Sequence, residues 1–318
     1  MHAQFPFRLS VQTVLPPDFE SSEPFRRSAE GLRDLGLWGI ELNIADLDDS
    51  RTKEPDRVVK YLDRFGLKLS MFASGLTAKT LGISLSAVDD GRRAEAVRRA
   101  RRMIDWTAGA STGGAASAGG ASGAAADRRD ERTGIIIGFL KGGVSAQPEK
   151  ARESLVASLA ELLPYAGERG VPLLLEATNR YESSLANSLS DAARIIDDAL
   201  AAAVVPSSAP GAAPAGGASD GASEWGRTIL QILPDTFHMN IEESDMADAL
   251  TRHAAYFSSL HLSDNNRLFP SYGAIDFKKV FAMLDGMSYR GRLAIEGNLK
   301  KDLVSDLRDA VAYLTSVA

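Results

Sequence analysis

"TILQILPDTFHMNIEESD" (228–245) runs from an apolar stretch directly into Asp, His and two Glu. The first six residues have the aliphatic, β-branched content of a buried strand, and the polar groups begin where such a strand would stop. A strand whose C-terminal end carries chemistry-bearing side chains is the unit of an α/β fold with its site at one end of the sheet. One strand supplies too few ligands or proton carriers for a site, so the rest of the chain has to provide more of them.

It repeats the pattern seven times more. Candidate strands are "FRLSVQT" (7–13), "WGIELNI" (38–44), "LKLSMFA" (67–73), "GIIIGFL" (134–140), "VPLLLEA" (171–177), "YFSSLHL" (256–262) and "RLAIEGN" (292–298), besides "TILQILPD" (228–235). Amphipathic segments lie between them, such as "SAEGLRDLG" and "ARESLVASLAELLPYAGERG". Eight alternations of this kind predict a single α/β domain over 1–318, a (β/α)8 TIM barrel. No Gly-x-Gly-x-x-Gly follows the first strand, which counts against an open dinucleotide-binding sheet.

Two Ala/Gly/Ser-rich segments, 109–134 and 201–226, interrupt the rhythm. They hold too few large apolar residues to join a core and read as flexible insertions. Each follows a helix and precedes a strand, which places it on the face opposite the one where barrel sites are built.

Composition removes several functions. The net charge is −6, which argues against a nucleic-acid groove. Arginines in "RRAEAVRRARR" (92–102) recur with apolar residues at helical spacing and read as the wet face of a helix. With no cysteine, disulfides and thiol nucleophiles are excluded. No apolar run of about 18 residues and no leader-like segment is seen, so the expectation is a cytoplasmic protein with no membrane partner.

On this strand map, strands five to eight end in Glu176, Asp235, His261 and Glu296. The intervals are 59, 26 and 35 residues. Removing an insertion of about 25 residues reduces the first to about 34, near one βα unit. The four groups therefore recur once per unit at strand tops and would converge on the barrel axis. Three carboxylates and one imidazole suit one divalent ion, Mn²⁺ first and Mg²⁺ or Co²⁺ as alternatives, over a thiolate-preferring metal.

"LLLEATNRYESSLANSL" (173–189), "DTFHMNIEE" (235–243), "LHLSDNNRLFPSYGAIDF" (260–277) and "LAIEGN" (293–298) resemble the sugar isomerase/epimerase family with a xylose-isomerase-like barrel. The nearest branches are the ketose 3-epimerases, acting on tagatose, allulose or ribulose, and the epimerases of keto-sugar acids. The resemblance implies metal ligands at Glu176, Asp235, His261 and Glu296, and substrate-binding residues at Glu182, His238 and Arg267. It also implies a small sugar substrate and a homo-oligomer. The expected reaction is inversion of C3 in a free ketose or keto-sugar acid through a cis-enediolate, with Glu176 and Glu296 as the acid/base pair. Aldose–ketose isomerisation and inosose dehydration are the alternatives on the same residues. The related barrel endonucleases need many histidines and a basic face, and this chain has four histidines. "SDNNR", "LFPSYG" and "EGNLKKD" depart from the family's usual loops, which bears on which sugar is bound.

Several nearby groups read as structural. Glu242 and Glu243 read as charges of a helix N-terminus, and His253 and His2 as non-ligands; pairing of Glu182 with Arg180 is the alternative to its substrate-binding role. Lys141, in "GFLKGG", reads as a solvated loop lysine in preference to a carboxylate-binding residue.

Overall fold

A computed structural model describes residues 5–113, 132–203 and 220–318. Eight parallel strands form its centre: β1 (Arg8–Val14), β2 (Gly39–Asn43), β3 (Lys68–Ala73), β4 (Gly134–Ile137), β5 (Leu173–Glu176), β6 (Leu230–Leu233), β7 (Ser259–Leu262) and β8 (Arg292–Ile295). Their hydrogen-bonded order is β6-β5-β4-β3-β2-β1-β8-β7. The ring is completed between β6 and β7 by one parallel bridge, Asp235 to His261, where the His261 N–H donates to Pro234 O at 2.9 Å. The expected (β/α)8 barrel is present, and its closing seam runs through two of the residues singled out as ligands.

Helices pack outside the strands. The helix Glu23–Asp34 begins where Ser22 accepts from Phe25 N, and Leu189–Ala202 begins where Ser188 accepts from Asp191 N, both side-chain N-caps. On Asp90–Gly113, Ala96, Val97, Ala100, Met103 and Ile104 are buried while Arg98 is exposed, as the arginine-rich segment led one to expect. No described helix is long and apolar enough to cross a membrane.

Most of the two low-complexity segments lies outside the described residues. Where they are described, residues 109–113, 201–202 and 220–226 are helical. The helix beginning at Asp90 continues to Gly113, and Asp220–Ile229 is a helix leading into β6. The second is anchored by Trp225, whose ring packs so closely on Gly167 that a Cβ there would come within 2.3 Å of it.

The inside of the barrel explains why the strand ends matter. Side chains alternate along a strand, so residues two apart share a face. Met71, Ala73, Ile136, Leu174 and Leu233 form a separate inner cluster. Two residues beyond Leu174 is Glu176, and two beyond Leu233 is Asp235, so both carboxylates continue the inward face one layer higher. The same step leads from Ala294 to Glu296. From Ile136 it leads to Gly138, where a Cβ would lie 2.2 Å from the Glu176 carboxylate. Glycine at this point leaves the volume that the Glu176 side chain fills.

Leu174 is fully buried at the middle of this inner cluster. Leu174→Ala should cost about 2–5 kcal/mol through lost burial and the cavity left behind. Urea unfolding checks this, and a loss below about 1 kcal/mol would show that the inner layer collapses to fill the space.

Candidate active site

Glu176, Asp235, His261 and Glu296 come together at the top of the barrel, each offering one ligand atom within 4.8 Å of the others. Strand register produces this. Glu176 pairs with Leu233 across β5 and β6, Asp235 bridges to His261, and His261 pairs with Ala294, two residues before Glu296.

Asp235 has three tasks. It is the N-cap of the helix Thr236–Glu242, its Oδ1 accepting from Phe237 N at 2.8 Å and from His238 N at 3.4 Å. Its Oδ2 accepts from Arg267 Nη1 at 2.6 Å and lies 3.7 Å from His261 Nδ1. Burial alone would raise its pKa, but Arg267 and the nearby imidazoles of His261 and His238 together hold it well below the usual range.

His261 is oriented by a residue that the sequence reading passed over. Glu41, near the middle of β2 and buried, lies 2.9 Å from His261 Nε2. A carboxylate on Nε2 keeps a proton there and turns Nδ1 toward the cluster. Burial opposes charge on this ring, yet Glu41 and Glu296 raise its pKa well above the ordinary imidazole value. An acid between Ile and Leu in "WGIELNI" was the available signal, since a strand buried on both faces rarely carries one without a partner.

Two atoms bear directly on whether a cation fits. His261 Nδ1 and Glu296 Oε2 are buried 2.5 Å apart, and neither makes a hydrogen bond of acceptable geometry. With one ligand atom each from Glu176 and Asp235 they form a group whose members all lie within 4.8 Å of one another. One nitrogen and three carboxylate oxygens so arranged could hold a divalent cation of the kind that prefers mixed oxygen–nitrogen ligands.

The two glutamates sit in opposite surroundings. Burial and the Glu296 charge raise the pKa of Glu176. For Glu296 burial works in the same direction, but Arg267 and His261 outweigh it and its pKa is lowered. Arg267 Nη2 donates to Glu296 Oε1 at 2.7 Å while Nη1 holds Asp235, so one guanidinium spans two carboxylates of the cluster. Its ring neighbour is Phe237, 4.9 Å from the guanidinium carbon.

The remaining expected site residues are joined through Asn179. Its backbone N–H and its amide both approach His238 Nδ1, at 3.2 and 2.8 Å, and the amide also donates to Glu182 Oε1 at 3.0 Å. Accepting on Nδ1 leaves the His238 proton on Nε2, which faces Glu176 Oε1 at 3.7 Å. Burial lowers the His238 pKa, so this ring stays neutral. Glu182 is half-buried and reaches the site by way of Asn179, not by contact with the four-residue cluster.

Two expectations are corrected. Lys141 is not solvated: it is buried, donates to Thr178 Oγ1 at 2.7 Å, and has a lowered pKa because burial outweighs the fields of Glu176 and Glu182. Packing of the segment after β4 against residues 178–187 encloses it, through bonds such as Ser183 Oγ to Gly142 O. Glu242 and Glu243 stand at the C-terminal end of a helix, not its start, because Asp235 begins that helix. Glu242 pairs with Arg180, and Glu243 accepts from Leu189 N. His253 is structural as expected, buried with Nδ1 against Ala249 O at 2.8 Å and Nε2 near Ser190 Oγ.

Two cavities adjoin the cluster. One, of about 250 Å³, is lined by Glu176, Glu296, Lys79 and Phe139 among others; the second, of about 290 Å³, includes Arg267, Glu296 and Leu299. A larger cavity, about 740 Å³, lies among Phe7, Phe281 and Tyr289 and contains none of the four ligands.

The model of the family described as "Xylose isomerase-like TIM barrel" matches residues 30–204 and 220–317. The 3-dehydro-D-guloside 4-epimerase of Escherichia coli (strain K12) is 30% identical over 164 residues, 51% of this chain and 53% of that protein. The D-psicose 3-epimerase of Enterocloster bolteae is 31% identical over 150 residues, 47% of this chain and 40% of that protein. The matched region thus spans about half the length of these curated relatives. A solved L-ribulose 3-epimerase shares the fold with a TM-score of 0.70 at 22% identity, covering 98% of this chain and 95% of that one.

Glu41→Gln keeps the shape of β2 but removes the charge that orients His261. It should weaken binding of Mn²⁺ about ten- to hundredfold in calorimetric titration, with the circular dichroism spectrum unchanged. Unaltered affinity would remove Glu41 from the site.

Proposed function

This chain belongs to the xylose isomerase-like TIM barrel family, and from that premise we propose that it is a metal-dependent sugar epimerase. The observation that carries the proposal is the placing of Glu176 and Glu296. Both belong to the ligand cluster, both line one small cavity, and their pKa values are displaced in opposite directions. Inverting a carbon beside a ketone needs a base on one face and an acid on the other, and such a pair supplies both.

Glu176, Asp235, His261 and Glu296 would hold one divalent ion, Mn²⁺ in the first instance with Mg²⁺ or Co²⁺ as alternatives. Bound there, it supplies Lewis-acid stabilisation of the negative charge that develops when the proton beside the carbonyl leaves. In the proposal, ionised Glu296 takes the C3 proton of a free ketose or keto-sugar acid to give a cis-enediolate. Protonated Glu176 delivers a proton to the other face, and the reverse reaction exchanges the two roles. His238 presents its Nε2–H toward the space beside Glu176, where a substrate oxygen accepts it. Arg267 and Glu182 hold further sugar oxygens.

A second reading has support from the comparisons. Similarity to a 3-dehydro-D-guloside 4-epimerase fits inversion at C4 of a 3-keto sugar, by the same acid–base exchange one carbon along.

The deciding experiment incubates Mn²⁺-reconstituted protein in D₂O with ketoses, keto-sugar acids and 3-keto-glycosides, followed by NMR. Deuterium at C3 of an inverted 2-ketose or 2-keto-sugar acid is expected. Deuterium at C4 of a 3-keto sugar selects the second reading, an aldose product selects an isomerase, and no metal-dependent exchange ends the proposal. Glu296→Gln should lower turnover at least about a hundredfold while the protein stays folded, because it removes a proton carrier without emptying a core. Retained turnover would take Glu296 out of the mechanism.

A further inference from the structure

The cavity beside Glu176 and Glu296 has a floor and a wall of different character. Its floor carries the two glutamates, and its wall is mainly Val14, Leu76, Ile136 and Phe139. Val14 is 52% exposed and Phe139 44%, so these apolar surfaces face the space a substrate would enter. Asn43 is engaged on both sides, donating to Gln12 Oε1 at 2.7 Å and accepting from Leu76 N at 3.3 Å, which leaves the Gln12 NH2 as the amide donor on the wall. A tail of neutral hydroxyls would find few partners along it.

One cation lines this cavity, Lys79 on the short helix Gly75–Leu81. Its ammonium sits 3.6 Å from the centre of the Phe139 ring. Lys68, Lys279 and Lys301 each face a carboxylate at 3.6, 3.6 and 2.7 Å. Lys79 has no such ion pair among the described residues. The ring attracts the ammonium without neutralising it, and so holds it at the mouth with its N–H groups free to meet an anion.

We propose that Lys79, held over Phe139, is an anion-recognition point at the mouth of the reaction cavity, and that the substrate is a keto-sugar bearing a carboxylate at the end remote from Glu176 and Glu296. This rests on the sugar-epimerase reading and narrows it from ketoses in general to sugar acids. A carboxylate meeting an ammonium forms a charge-assisted hydrogen bond, stronger than any bond a terminal hydroxyl could make there. Lys79 is exposed, so solvent screens the gain, and a preference of about tenfold is the expected scale.

The test measures binding, by calorimetry on Mn²⁺-loaded protein, of matched pairs: D-fructose with D-fructuronate and D-tagatose with D-tagaturonate. At least one acid should bind about tenfold more tightly than its neutral partner, and the preference should shrink at high salt. Lys79→Met retains the aliphatic stem on Phe139 and should bring acid affinity down to that of the neutral sugar. Equal binding within both pairs, no binding by either acid, or a preference that survives Lys79→Met overturns the assignment. The last result would place the carboxylate on the metal. Solvent-deuterium exchange in the same samples reports on the epimerase reading separately. A Lys79-dependent preference without exchange keeps the anion site and removes the epimerase.

Discussion

Three carboxylates converging within one ligand shell repel one another, and the top of this barrel is arranged around the cations that offset them. Glu176, Asp235, Glu296 and the supporting Glu41 carry a formal charge of −4. Arg267 spans two of them, and Lys141 lies buried in the field of a third. A divalent ion held by the cluster would offset further negative charge. Placing such groups inside a protein is unfavourable unless each is paired. Arg267 meets this demand at a cost in backbone conformation. Its φ of 59° lies in the left-handed region, which an ordinary side chain avoids. Asp264 holds that turn by accepting from the N–H groups of Asn265, Gly273 and Ile275, and Asn298 N donates to the Arg267 carbonyl at 2.7 Å.

The same cluster takes part in closing the fold. Between β6 and β7 the sheet has a single bridge, and its two residues are Asp235 and His261. Pro234 has no N–H to give at this point, but its carbonyl accepts the one from His261. Stability and the candidate chemistry therefore share atoms here. Asp235 in addition caps the helix that carries His238, so any movement of its carboxylate is felt by a second site residue.

What could be read in the sequence followed from periodicity. The eight strands fall where apolar runs predict them, because a strand buried on both faces admits little else. The four clustered residues were legible because each closes such a run at an interval of one βα unit. What escaped depends on long-range packing. Lys141 lies among glycines, which locally means loop and solvent; its burial comes from a segment some 40 residues away in sequence. Glu41 was visible as an acid within an apolar strand, but its partner His261 is 220 residues distant. Glu242 and Glu243 stand at the far end of their helix because it begins at once after β6, with Asp235 as its cap. A residue with two roles gives a sequence reader only one signal.

Floor and rim of the reaction cavity answer to different constraints. Glu176, Asp235, His261 and Glu296 belong to strand ends fixed by register, and a shift of one residue would turn each to the other face of the sheet. Val14, Lys79 and Phe139 belong to the end of β1, the helix after β3 and the turn after β4. None of these three lies in the charge network, so they can change without unbalancing it. On the proposed function, the chemistry would rest on the part of the structure that the fold enforces, and substrate choice on the part that it leaves free. One proton-transfer apparatus could then serve different sugars, and Lys79, set on a wall of largely apolar side chains, would belong to the part that selects among them.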